Sequence, residues 1–180
     1  MIRQEESQVW ERKRSLSLQR EGLQSLCGML NAEAAQGSVV FGVAPDGTLV
    51  GVEPGDLDRT QQSIAQTIGN KFDPPIQCSM TVVVDSGKRF LVLQAGRRRD
   101  VPYHEFDGRA WIREGTTTRQ MSAAEKRSLL RSRNRDLHNG PWQCDRCGSI
   151  AGVLGSVEIG PSGARKTYRH SCGGEYWPAV

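Results

Sequence analysis

Two glutamates and a lysine stand close together near the start of the chain, in Glu6-Ser7-Gln8-Val9-Trp10-Glu11-Arg12-Lys13. An extended strand alternates its side chains between two faces, so Glu11 and Lys13 would point the same way. A carboxylate beside an ammonium suits phosphodiester chemistry. The carboxylate can hold a divalent metal, and the lysine can orient a nucleophile or hold a phosphate. Glu6 lies upstream, where a bend could return it to the pair. The same residues also read as a charged, solvated edge strand, a common way of protecting exposed sheet edges.

A second chemistry-bearing group lies near the other end. Cys144-Asp145-Arg146-Cys147-Gly148 is followed by His170-Ser171-Cys172. A Cys-x-x-Cys-Gly turn lets two thiolates meet one ion, the arrangement of a zinc knuckle. The spacing predicts one structural zinc held by Cys144, Cys147, His170 and Cys172, with His138 a poorer ligand. Roughly 45 residues hold too small a core to fold without such a staple. The bland alternative is a set of thiols brought near by chance. Redox use fits less well, because no thioredoxin-like strand and helix surround the pair.

The elements that would position these groups follow from periodicity. Residues 6–14 read as a strand. Arg20 to Gln36 reads as a helix with Leu23, Leu26, Cys27, Leu30 and Ala34 on one apolar face, ended by Gly37. Cys27 on that face reads as a buried, inert thiol. Ser38 to Val43 is an apolar strand that Thr48 to Val52 would pair with, across the turn Pro45-Asp46-Gly47. Leu57 to Phe72 reads as a second helix with Leu57, Ile64, Ala65, Ile68 and Phe72 inward, stopped by Asp73-Pro74-Pro75. Gln77 to Val84 and Arg89 to Ala95 form a hairpin. Arg97-Arg98-Arg99 at its end is either a solvated loop or a phosphate contact. His104 reads as a structural residue before a general base. Arg109 to Arg113 is a short strand, and Ser122-Ala123-Ala124-Glu125 is a capping box opening a helix to about Leu137. That helix carries Lys126, Arg127, Arg131, Arg133 and Arg135, either a phosphate-tracking face or a solvated one. His138-Asn139-Gly140-Pro141 reads as a linker.

Composition bounds the function. The 180 residues suit one domain plus a small appendage. The net charge is +4 and arginines outnumber lysines 19 to 5. Guanidinium forks bind phosphate bidentately, which favours nucleic acid. Five cysteines, an odd number with one tight pair, point to metal in a reducing compartment, the cytoplasm. No membrane-spanning stretch, signal peptide, P-loop, Gly-x-Ser-x-Gly elbow or internal repeat is present.

Glu6-Ser7-x-x-x-Glu11-x-Lys13 resembles the opening motif of the Schlafen AlbA-type domain. Leu30-Asn31, Gly37 to Val43 and Asp46 to Gly51 follow in the family's order, and Trp111-Ile112-Arg113-Glu114-Gly115-Thr116-Thr117-Thr118 resembles its later signature. The likeness spans roughly residues 5–135. Arg12 stands where a phenylalanine is usual, Ala35-Gln36 replaces part of a glycine run, and Trp111 replaces a tyrosine. The resemblance implies an α+β fold, a mixed sheet flanked by helices over residues 1–137, and the cysteine spacing adds a zinc-ribbon-like module over 138–180.

It also implies a function. Schlafen nucleases cut structured RNA, notably transfer RNA, with two glutamates and an aspartate. Carried over, these are Glu6, Glu11 and Asp46, with Lys13 beside them, holding Mg²⁺ or Mn²⁺. Arg97, Arg98, Arg99, Arg113, Lys126 and Arg127 would contact the phosphates. Crowded carboxylates repel, so Glu11→Gln should leave the melting temperature unchanged. The alternatives are a non-catalytic DNA- or RNA-binding module attached to a regulator, and an adaptor that docks a partner protein. The expected partners are nucleic acid, RNA before DNA, and a second copy of the chain.

Overall fold

The strand that carries Glu11 lies parallel to the strand that precedes Asp46. In the computed structural model β1 (Trp10–Lys13) pairs with β2 (Gln36–Phe41), Trp10 opposite Ser38 and Lys13 opposite Phe41. Parallel neighbours need a crossover, which α1 (Gln19–Asn31) supplies. The structure describes residues 2–98, 101–138, 153–160, 163–169 and 175–176. The chain divides into two compact units, Met1–Ser128 and Leu129–Val180.

In the first unit α2 (Pro54–Lys71) is followed by β3 (Phe72–Asp73) and the hairpin of β4 (Cys78–Asp85) and β5 (Lys88–Gly96). Then come β6 (Glu105–Phe106), β7 (Arg109–Glu114) and β8 (Thr117–Gln120), and α3 (Ala123–His138) begins. One sheet has the order β1-β2-β5-β4 and is mixed. The other, β3-β6-β7-β8, is antiparallel. In the second unit β9 (Val153–Gly160), β10 (Gly163–Arg169) and β11 (Glu175–Tyr176) form an antiparallel sheet. This is the expected α+β architecture, with three helices among the described residues. None of these helices is long and apolar enough to cross a membrane.

The central strands β2 and β5 are buried on both faces over Val39 to Phe41 and Phe90 to Leu93, because those stretches are continuous apolar runs. Val39, Phe41, Leu91 and Leu93 face Leu23, Leu26, Cys27 and Leu30 of α1 and Leu57, Ile64 and Ile68 of α2. Trp10, Val40, Phe90 and Val92 form the opposite face, closed by Ile2 from the N-terminal arm. Close approach of α1 depends on two glycines. A Cβ on Gly22 would lie 2.7 Å from the Phe41 ring, and one on Gly28 would lie 3.2 Å from the Arg113 backbone nitrogen. Gly28 therefore lets β7 lie directly against α1, which places Arg113.

Five local expectations change. Only Trp10–Lys13 of residues 6–14 is a strand, because Ser7 and Trp10 close a turn on each other's backbone (N···O 2.9 and 3.4 Å). α1 stops at Asn31, whose side chain is committed to backbone groups outside the helix, and Ala34 is exposed. Gly37 lies inside β2, where a Cβ would stand 2.6 Å from Cβ of Met29, so it serves packing and not helix termination. Thr48 to Val52 is not a strand. A single bridge joins Leu49 to Val43, and the Gly42 carbonyl takes the N–H groups of both Val50 and Gly51. Ala65 on α2 is also exposed.

The capping box forms as read. Ser122 N–H donates to Glu125 Oε2 at 2.8 Å, and Glu125 N–H donates to Ser122 Oγ at 3.2 Å. Arg119, followed by Ser122, holds the Glu125 carboxyl down to about 2 from its ordinary 4.5. A depressed carboxylate stabilises the fold above its unfolded pKa, and that contribution is lost as pH falls through the folded value. The start of α3 should therefore hold down to pH 4.5 and loosen as pH approaches 2. The Ser122 and Glu125 amide resonances should titrate near the lower value. A midpoint at the ordinary glutamate value would remove Arg119 from the cap.

Candidate functional site

Glu11 and Lys13 share the face of β1 turned toward α1 and β7. Lys13 Nζ donates to Glu11 Oε1 at 2.5 Å, and Arg113 Nη2 lies 2.5 Å from Glu11 Oε2. The carboxylate is closed off, its side chain 9% exposed and that of Arg113 only 1%. Arg113 also donates from Nε to the Ser7 carbonyl at 2.9 Å and from Nη1 to Thr118 Oγ1 at 3.1 Å. The two ends of the motif set, about a hundred residues apart, thus meet at one guanidinium. Its five donors in a fixed plane let it serve a turn, a carboxylate and a hydroxyl together, which lysine could not do.

Glu6 does come back to β1, but to its edge. The carbonyls of Val9 and Lys13 accept from Ser38 and Gly42 on the β2 side. Arg12, between them, therefore turns its N–H to the unpaired edge, and Glu6 Oε1 accepts it at 3.2 Å. Arg12, the departure from the family's phenylalanine, points to the opposite face from Glu11. Its guanidinium donates to the Gln4 carbonyl at 2.6 Å, the Arg3 carbonyl at 3.2 Å and the Pro45 carbonyl at 3.3 Å. It fastens the N-terminal arm to the turn that carries Asp46.

Asp46 is exposed and caps its own turn, Oδ1 accepting the Thr48 N–H at 2.9 Å. That hydrogen bond, with help from the Arg14 charge, lowers its pKa. Each of the three carboxylates thus has its own partner within the fold. Among the described residues no group of three His, Cys, Asp or Glu side chains is gathered so as to hold a metal ion. Glu11 between two cations also reverses the stability expectation: Glu11→Gln removes an attraction, so it should lower the melting temperature.

The basic residues divide. Arg113 is buried and engaged with Glu11, Ser7 and Thr118. Lys126 donates to Glu105 Oε1 at 2.7 Å, a contact that raises its pKa, while Arg127 is exposed. Arg97 donates from Nη1 to the Pro102 carbonyl at 3.3 Å, Arg98 is exposed, and Arg99 lies outside the described residues. Cys144, Cys147, His170 and Cys172 lie outside them as well. Arg14, exposed beside Asp46, was not singled out from sequence, because a lone arginine after a strand carries no pattern.

Two further buried groups are architectural. Asn31 Nδ2 donates to the His104 and Trp111 carbonyls, both at 2.8 Å, and Asn31 Oδ1 accepts the His104 N–H at 2.8 Å. His104 is fully buried, with Nδ1 2.8 Å from the Pro74 carbonyl, which supports the structural reading of that residue. Burial pushes the Cys27 thiol up to about 12, consistent with an inert thiol.

The α+β architecture, with a parallel pair crossed by α1 in a mixed sheet, is consistent with an AlbA-like fold. The Schlafen, AlbA_2 family matches residues 6–122, and the chain belongs to it. The family points to a nucleic-acid-binding or nuclease role. The crystal structure of the DIP2311 protein from Corynebacterium diphtheriae is similar in fold, with a TM-score of 0.51 and 17% identity. The similarity covers 69% of this chain and 28% of that one. No curated protein matches the chain.

Proposed function

We propose that the first unit is a nucleic-acid-binding domain that uses its Glu6–Lys13 motif as framework. The observation that carries this reading is the neutralised carboxylate. Glu11 is paired with both Lys13 and Arg113, so the motif shows no concentrated negative charge to a phosphate backbone. Arg14, Arg98 and Arg127 are exposed cations of the same unit and candidate phosphate contacts.

The second reading is a metal-dependent endoribonuclease acting on structured RNA such as transfer RNA, with Glu6, Glu11, Lys13 and Asp46 at its centre. The return of Glu6 to β1 favours it. As arranged, the carboxylates do not fit a shared Mg²⁺ or Mn²⁺, because both Glu11 oxygens face cations and Glu6 and Asp46 cap backbone N–H groups.

One experiment separates them. Anisotropy of labelled single-stranded RNA and DNA is followed from about 50 to 200 mM salt, and total RNA is incubated with and without Mn²⁺. For about four phosphate contacts on a single strand, affinity should fall roughly fifty-fold over that range, while the RNA stays intact. Discrete Mn²⁺-dependent cleavage, lost in Glu11→Gln, would instead select the nuclease. Absence of binding at the lowest salt would sink the first reading.

A further inference from the structure

One face of the mixed sheet changes character at a single level. Moving along the strands from the apolar layer, Val40 of β2 gives way to Ser38 and Gln36, and Val92 of β5 gives way to Gln94. In β4, Val83 gives way to Thr81, Ser79 and, just before the strand, Gln77. The register aligns these changes: Trp10, Ser38, Gln94 and Ser79 stand directly opposite one another across all four strands. The row is tied by Gln94 Nε2 donating to Ser38 Oγ at 3.3 Å and Ser79 Oγ donating to the Gln94 carbonyl at 3.4 Å.

Above this row lies a groove of about 760 Å³, and among the described residues no charged one lines it. Trp10 forms part of its wall and is 3% exposed, and its buried indole N–H has no hydrogen-bond partner among the described residues. An unpaired buried donor is costly, and such groups mark places where something else supplies the acceptor. Gln36 and Gln77 flank the row with free-reaching amides, both exposed. Immediately past Gly96, at the end of β5, the chain continues into Arg97 and Arg98.

The occupant that this chemistry fits is planar, uncharged and rich in hydrogen-bonding edges. A phosphate would meet no cation among the described residues that line the groove. A nucleobase would meet the exposed side-chain amides of Gln36 and Gln77, which pair bidentately with base edges. We propose that this groove holds a base of a bound single strand, with the sugar-phosphate leaving it past Arg97 and Arg98. The inference rests on the nucleic-acid-binding reading and adds to it a site that reads bases, on the opposite face of the sheet from Glu11.

The test compares a labelled single-stranded oligonucleotide with the same backbone made abasic. Gln36→Leu/Gln77→Leu alters two exposed side chains and should leave folding intact. The normal strand should bind the wild-type chain roughly ten-fold tighter than the abasic one, in the range of a single base contact. The double variant should lose most of that difference while its affinity for the abasic strand stays the same. Equal affinity of the wild-type chain for both strands would overturn the groove and leave phosphate-driven binding standing. If neither strand binds, the nucleic-acid reading fails by itself. The groove is then judged by adenosine, titrated while the Trp10 indole N–H resonance is followed, that signal being identified by its loss in Trp10→Phe. A saturable shift would uphold the site, and an unmoved resonance would overturn it.

Discussion

Arg113→Met should destabilise the first unit by about 3–5 kcal/mol, the range expected when one member of a buried ion pair is removed and the other is left. Glu11 would keep only Lys13, whose side chain is 18% exposed and partly solvated. The Ser7 carbonyl and Thr118 hydroxyl would also lose their shared donor, freeing the turn that returns Glu6 to β1. Urea unfolding followed by circular dichroism measures the loss. Glu11→Gln placed in the Arg113→Met background should recover part of it, because the stranded charge is then gone. A single-variant cost under about 1 kcal/mol, the scale of an exposed pair, would show that Arg113 is not what holds Glu11. The folded fraction of the variant should keep its salt slope for nucleic acid, since a buried guanidinium releases no counterion. A flatter slope would restore Arg113 as a phosphate contact.

Asn31→Leu carries the second large effect. The substitution keeps the volume but leaves the His104 N–H and the His104 and Trp111 carbonyls without the partners that Asn31 gives them. Buried groups stripped of a hydrogen bond cost about 1–3 kcal/mol each, so with three such groups the variant should lose at least about 3 kcal/mol in the same denaturation assay. Asn31→Asp makes a sharper test. Its ionised carboxylate would face two carbonyl oxygens in place of the amide, so the folded state should favour the protonated acid. A raised carboxyl pKa favours folding at low pH and loses that advantage as pH rises through the folded value. The Asp variant should therefore be closer to wild type near pH 4 than near pH 7. An identical deficit at both would mean the polar clasp is not what Asn31 provides.

Much of the architecture could be read directly. The hairpin of β4 and β5, the capping box of α3 and the crossover α1 all depend on local patterns: alternation, an S-x-x-E spacing and an apolar stripe. Local patterns fail where a distant group takes a residue away. Asn31 reads as helix interior, and its side chain is claimed by His104 and Trp111, so the helix ends early. Gly37 reads as a helix stop, and it is a strand residue kept small by Met29.

The site shows the same division. Period-two alternation by itself put Glu11 and Lys13 on one face, and a bend in so short a segment was enough to bring Glu6 back. What the alternation could not contain is the identity of the third partner. Arg113 is about a hundred positions away, on a strand where an arginine between apolar residues reads equally well as a surface contact. Only the packing of β7 on α1 at Gly28 brings its guanidinium beneath β1. That placement closes the ion pair, because burial of a carboxylate requires cations and the fully buried one that joins Lys13 came from the far end of the domain. The polar row over Trp10 arises in the same way. Ser38, Ser79 and Gln94 are unremarked strand residues one at a time, and become a groove only when cross-strand register sets them at one level.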